Sequence, residues 1–197
     1  MGRIFCVMGK SSTGKDTIYK KLLEDSKLDL KKIVLYTTRP IREGETHSVE
    51  YYFTTVDELD SMKKENKIVE CRSYNTIHGV WHYFMVKDEQ INLEENNYLI
   101  IGTLESYLKT KEYFGNDKVL PIYIDIDDGE RLSRALNRER AQKEPKYEEL
   151  CRRFLADSAD FSSEKLEAAG INKTFYNDDL QRCIDEIAKY IVQMDVK

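Results

Sequence analysis

Residues 9–17 read GKSSTGKDT and follow directly on the apolar run IFCVM at 4–8. The spacing satisfies G-x-x-x-x-G-K between a strand-like run and a segment with helical character, the context in which that pattern carries a phosphate. Gly9 and Gly14 let the backbone curl, so that N–H groups along Ser11, Ser12 and Thr13 face one anion. The start of the following helix adds partial positive charge, and Lys15 adds a full one. The bland alternative is a glycine turn with a solvated lysine. Asp16 stands where Ser or Thr usually follows the lysine, and a carboxylate there repels phosphate unless it turns toward a metal. Asp16 and the adjacent Thr17 hydroxyl are therefore read as the metal-side pair, with Mg²⁺ as the ion.

Working outward, the remaining apolar runs alternate with helical stretches. KIVLYTT at 32–38 reads as a second buried strand, YLIIGT at 98–103 as a third, VLPIYIDI at 119–126 as a fourth and KTFYN at 173–177 as a fifth. Helices are predicted from about Asp16 to Asp25, from Leu104 to Phe114 with Gly115 as the stop, and at the C-terminal end. In that last helix Leu180, Cys183, Ile184, Ile187, Ala188 and Ile191 fall on one face. Five buried strands alternating with helices define an α/β fold, a five-stranded parallel sheet covered on both sides.

Between Arg39 and Phe84 the pattern changes. Short aromatic or β-branched runs surround the helix TVDELDSMKKEN, which opens with Thr55 and Glu58 at capping-box spacing. This reads as an inserted small mixed α+β lobe. The polar stretch 127–161 is helical and broken near Pro145. No repeat or Pro/Gly-rich linker divides the chain.

At 197 residues the chain suits one domain with its own core. A formal net charge of −5 argues against a general nucleic-acid binder, while local basic clusters can still grip a small anion. The scattered cysteines form neither a zinc pattern nor a disulfide framework, which fits a reducing cytoplasm. No apolar stretch approaches a membrane span.

A second basic site follows the second strand. TTRPIREGE at 37–45 carries Arg39, Arg42 and a glycine turn, and EYYF at 50–53 adds Tyr51. Paired arginines suit bidentate capture of a second phosphate, with a tyrosine hydroxyl as a further donor. A solvated charged loop is the plain alternative.

Taken in order, GKSSTGKDT, TTRPIREGE, EYYF, the VE at Glu70 and NDDL at 177–180 resemble the guanylate kinase family over essentially the whole chain. The resemblance implies a P-loop kinase core (1–38, 86–130, 158–197), a monophosphate-binding lobe (39–85) and a helical lid (131–157). It implies ATP as donor with Mg²⁺, bound by the loop from Gly9 to Thr17 and by Asn177 beside the adenine, although Asn177 also reads as a plain helix cap. It implies GMP as acceptor, its phosphate held by Arg39, Arg42 and Tyr51 and its base by Glu70. A carboxylate accepts from guanine's N1–H and N2–H₂, and adenine offers no such pair. Lid arginines Arg134, Arg138 and Arg153 would stabilise the transferring phosphoryl group beside Lys15 and Arg39. The partners implied are small-molecule nucleotides, not nucleic acid or membrane, acting on a monomer or homodimer.

Two departures bear on the acceptor. The family's Tyr-Gly-Ser/Thr turn is absent, and SYNTIHGVWHYF leaves Tyr74, His82 and Tyr83 as replacements, of which Tyr83 is carried as the candidate. The family's acidic D-x-D-like strand end is here YLIIGTLES, with Gly102 and Thr103. Asp125 and Asp127, ending the next strand, are further Mg²⁺ candidates, and Asp127 also reads as a helix cap. A related kinase of a sugar bisphosphate, such as ribose 1,5-bisphosphate, shares the GKD ending and the missing acidic strand end. An inactive phosphopeptide-binding module is the reading of another class. His78 and His82 as a metal pair lack a helical face on which to converge.

Overall fold

The structure, a computed structural model, describes residues 1–76 and 79–195. Its first sheet is parallel throughout, in the order β2 (Leu30–Lys32), β7 (Asn97–Ile101), β1 (Ile4–Met8), β8 (Val119–Asp125), β9 (Thr174–Tyr176). Strand β1 lies at its centre and every one of its residues is buried. Alternation along β1 feeds two cores. Phe5 and Val7 pack with Ile18 and Leu22 of α1 (Lys15–Glu24) and with Cys183, Ile187 and Ile191 of α7 (Leu180–Asp195). Ile4, Cys6 and Met8 pack on the other side with Leu104 and Tyr107 of α3 (Leu104–Phe114) and with Phe161. This is the α/β arrangement expected, with β1 delivering the loop at 9–14 to the carboxyl edge of the sheet.

Helix α3 has the predicted bounds. Thr103 accepts from Ser106 N–H and Ser106 Oγ accepts from Thr103 N–H, a reciprocal cap of a kind that contributes about 1 kcal/mol. The Thr55–Glu58 capping box also forms, at the start of α2 (Val56–Lys64).

A second sheet runs β4 (Tyr52–Phe53), β3 (Tyr36–Thr37), β6 (Gly79–Val86), β5 (Ile68–Thr76). Leu59 of α2 seals it against Phe84 and Val86. Here the reading of KIVLYTT as one core strand is corrected. Its place in the parallel sheet is taken by Leu30–Lys32, and Tyr36–Thr37 belongs to the second sheet. The break lies at Val34, whose N–H and carbonyl bond the side-chain amide of Gln90 (2.8 and 3.2 Å) instead of a neighbouring strand. The C-terminal helix needs a smaller correction. Leu180 is 42% exposed, because the helix has only begun there and its buried stripe starts at Cys183.

The polar segment forms α4 (Asp128–Arg140) and α5 (Tyr147–Asp160), separated around Pro145, followed by the short α6 (Ser163–Ala168). No residue of α5 is buried.

Candidate active site

The loop between β1 and α1 is built for close approach. A Cβ at Gly9 would collide with the carbonyl oxygen of Ile124, and one at Gly14 (φ +86°) with the amide of Asn177. Ser12 holds φ +68° without being glycine, and its buried Oγ has no hydrogen-bond partner among the described residues. Backbone strain and an orphaned buried hydroxyl at one turn mark a cradle shaped around something it must receive. Helix α1 opens at Gly14 with no side-chain cap, leaving first-turn N–H groups for an anion. Burial lowers the Lys15 ammonium pKa, an effect that Asp16 and Asp157 oppose.

Asn177 is 3% exposed and donates from Nδ2 to the Thr13 carbonyl at 2.7 Å. Its backbone N–H bonds Asp125 O and its carbonyl accepts from Arg134. It braces the underside of the phosphate loop, and the simple cap does not describe it.

Asp16 is exposed, its Oδ2 3.9 Å from Lys15 Nζ, and Thr17 is exposed beside it. Two hard oxygen donors at a phosphate loop suit Mg²⁺, which is usually shared between one or two protein groups, phosphates and water. Among the described residues no group of three or more His, Cys, Asp or Glu forms a protein cage for a metal. Asp127 caps α4, accepting from Gly129 and Glu130 N–H. Asp125 takes Tyr123 Oη and Ile126 N–H. Of the two histidines set aside as a metal pair, His78 lies outside the described residues, and His82 Nδ1 shares a hydrogen bond with Ser73 Oγ.

The lid reaches the loop from α5. Arg153 Nη2 donates to Ser11 Oγ at 3.0 Å, and Arg138 of α4 lines a cavity of about 170 Å³ with Ser11 and Arg153. Arg134 faces the other way, bonding Glu130 and Asn177 O in a cleft with Tyr176. The lid also brings a carboxylate: Asp157 Oδ2 accepts the Ser11 N–H at 2.7 Å, a donor the loop otherwise aims at phosphate. Asp157 is further held 3.7 Å from the buried Arg131 guanidinium, which stacks on Phe154. An anion entering the loop must take the Ser11 N–H from this carboxylate. Asp157→Asn is accordingly expected to tighten ATP binding about tenfold, measured by equilibrium titration, since it removes one negative charge from beside the incoming anion.

In the lobe, Thr37 Oγ1 donates to His82 O and accepts the Arg39 N–H, fixing where the arginine loop leaves the sheet. The Arg39 guanidinium, 3% exposed, forks onto both oxygens of Glu45 (2.9 and 2.8 Å) and lies over the rings of Tyr51 and Phe53. Glu45 also accepts the Arg42 N–H, and these bonds hold its carboxyl below the usual range. Tyr51, Tyr83 and Tyr74 form a chain of edge-to-face rings at 5.6 and 5.7 Å. Strand alternation sends His82 to the opposite face from Tyr83.

Glu70 is 3% exposed and both its oxygens are held by the Arg72 fork at 3.1 Å. Burial raises the Glu70 carboxyl pKa, and Arg72 and Lys109 pull it back.

Loop and lobe meet across a cleft of about 670 Å³. Gly9, Ser11 and Lys15 line one wall, Thr103 and Glu105 the floor from α3, and Tyr74 the lobe side. The sequence reading names Lys15, Arg39, Glu70 and Arg153; the structure sets Glu45, Arg72 and Asp157, which it does not name, against Arg39, Glu70 and Ser11, and Arg131 beside Asp157. Two of these were readable: Arg72 is two residues from Glu70 on a strand, and Asp157 four from Arg153 on a helix, spacings that share a face.

A P-loop core, an inserted lobe and a helical segment over the loop define a P-loop phosphotransferase architecture. The family profile described as guanylate kinase matches residues 1–194. A guanylate kinase of Porphyromonas gingivalis is 30% identical over 207 aligned positions, covering all of both chains. One of Caldanaerobacter subterraneus subsp. tengcongensis is 30% identical over 194, covering 97% of this chain and 87% of its own. The crystal structure of guanylate kinase from Anaplasma phagocytophilum superposes with a TM-score of 0.66 at 21% identity, over all of this chain and 87% of that one, a likeness of fold. This chain belongs to the guanylate kinase family.

Proposed function

We propose that the chain transfers the γ-phosphoryl group of Mg·ATP to GMP, giving ADP and GDP. The observation that carries the reading is the single cleft bounded by Lys15 on the loop side and Tyr74 on the lobe side, with the Tyr74–Tyr83–Tyr51 rings leading to Arg39. The loop from Gly9 to Thr17 holds the donor phosphates. The 39–85 lobe presents the acceptor through Arg39, Arg42, Tyr51, Tyr83 and Glu70. The 131–157 lid brings Arg138 and Arg153 over the transferring group, and Arg134 lies on the nucleoside side.

Mg²⁺, held through Asp16, Thr17 and the nucleotide, would neutralise charge on the donor phosphates. Catalysis by the chain's own residues is positioning and charge neutralisation, with no covalent intermediate. The chain acts as a monomer or homodimer. The free cysteines agree with work in the cytoplasm, and no helix among the described residues is long and apolar enough to cross a membrane.

A sugar bisphosphate is the second acceptor reading, favoured by one observation: both Glu70 oxygens are already engaged by Arg72. ADP release measured with GMP, dGMP, AMP and ribose 1,5-bisphosphate separates the two. Turnover with GMP that is lost in both Lys15→Ala and Glu70→Ala supports the first. Turnover only with the sugar, indifferent to Glu70, supports the second.

Acid sensitivity gives a further expected result. Guanine's N–H groups need an unprotonated carboxylate, and the Glu70 carboxyl lies above its ordinary value of 4.5 because it is buried. As pH falls, KM for GMP therefore rises, starting at a higher pH than for an exposed glutamate. The difference between the native and Glu70→Gln profiles isolates this carboxyl from titration of the nucleotide's own phosphate.

A further inference from the structure

The geometry points to Arg72 as a specificity-determining residue that occupies the guanine-reading face of Glu70, so that a base enters only by displacing it. This rests on the GMP reading above. Arg72 Nε and Nη2 donate in one plane to Oε2 and Oε1 of Glu70, each at 3.1 Å. Guanine's N1–H and N2–H₂ present the same two-point donor pattern on the same guanidine-like unit. The arginine is thus an internal mimic of the ligand edge, held on the right carboxylate by its place on the same strand face.

The exchange is not neutral in charge. The Glu70 side chain is 1% exposed, and Arg72 supplies its nearest cation. The other groups facing it are Lys109 and Glu105 from α3 and the Cys6 thiol from β1, while its cross-strand partner on β6 is the apolar Met85. A neutral base replaces both hydrogen bonds but not the positive charge. Guanine therefore binds against the cost of moving Arg72, and a base without the N–H pair cannot displace it at all. Arg72 weakens the correct acceptor while blocking wrong ones from a buried carboxylate. In its observed place the guanidinium already lies within electrostatic reach of Tyr51 and Tyr74, on the side where Arg39 lies.

The test is GMP and AMP titration of the native chain, Arg72→Ala and Arg72→Lys, with ATP titration beside it. Arg72→Ala is expected to bind GMP about tenfold more tightly, the worth of one charge-assisted hydrogen-bond pair no longer displaced. ATP binding should not change, and AMP, which Arg72 excludes in the native chain, should gain more than GMP does, so that the GMP-to-AMP preference falls. Arg72→Lys, which keeps the charge but replaces the fork by a point donor, falls between and serves if the alanine variant fails to fold.

A pH profile separates this from a loss of packing. Without Arg72 the buried carboxyl titrates at higher pH, so the acid-side loss of GMP binding moves upward. Unchanged or weaker GMP binding in both variants, with ATP binding intact, overturns the proposal and leaves the GMP reading standing. Transfer by the native chain to a sugar bisphosphate and never to GMP overturns both.

Discussion

Lys15→Ala is expected to lower kcat/KM for ATP by about three orders of magnitude while the chain stays folded. Lys15 follows Gly14 at the mouth of α1 and lines the cleft, so its removal takes a full positive charge from the donor phosphates without opening the core. Burial lowers its pKa, so the ammonium sits in a poorly solvated place, where the charge it offers an anion is little screened. Steady-state kinetics with a thermal-unfolding control checks this. A loss of only a fewfold, in a chain that melts normally, would show that the loop's N–H groups carry the donor without it.

Arg153→Ala should remove a comparable factor, about a thousandfold in kcat, with a much smaller change in KM for either substrate. Its guanidinium already touches Ser11 Oγ, and in the bound state it can turn from that hydroxyl to the transferring phosphoryl group. Because the charge it meets develops during transfer, the loss belongs in kcat. Arg153→Lys should recover part of it, since lysine restores the charge but not the fork. Equal losses in kcat and in ATP affinity would instead make Arg153 a ground-state clamp.

The parts of this fold that could be read ahead are those set by neighbours in sequence. The phosphate loop shows in its glycine and lysine spacing alone, although the groups that leave no room for a Cβ, Ile124 O and the Asn177 amide, lie far away in the chain, and the caps at Thr55 and Thr103 are written within four residues. The misread strand at 32–38 depends on Gln90, whose amide reaches Val34 from 56 residues away. Asn177 has the composition of a cap, yet its role comes from Thr13, 164 residues earlier. The Asp157 contact with Ser11 likewise spans 146 residues and depends on how the lid settles on the loop. Arg72 differs from these. Its pairing with Glu70 follows from strand periodicity, which puts residues two apart on one face.

The proposed reaction requires the donor pocket at Lys15 and the acceptor pocket at Arg39 to face each other, so that a donor phosphate can be attacked by an acceptor phosphate. An analogue joining adenosine to guanosine through a polyphosphate chain tests it in one titration. Its binding is expected to be tighter than that of either nucleotide alone, competed by both ATP and GMP and abolished by Lys15→Ala. Displacement by only one of them, or by neither, would contradict it.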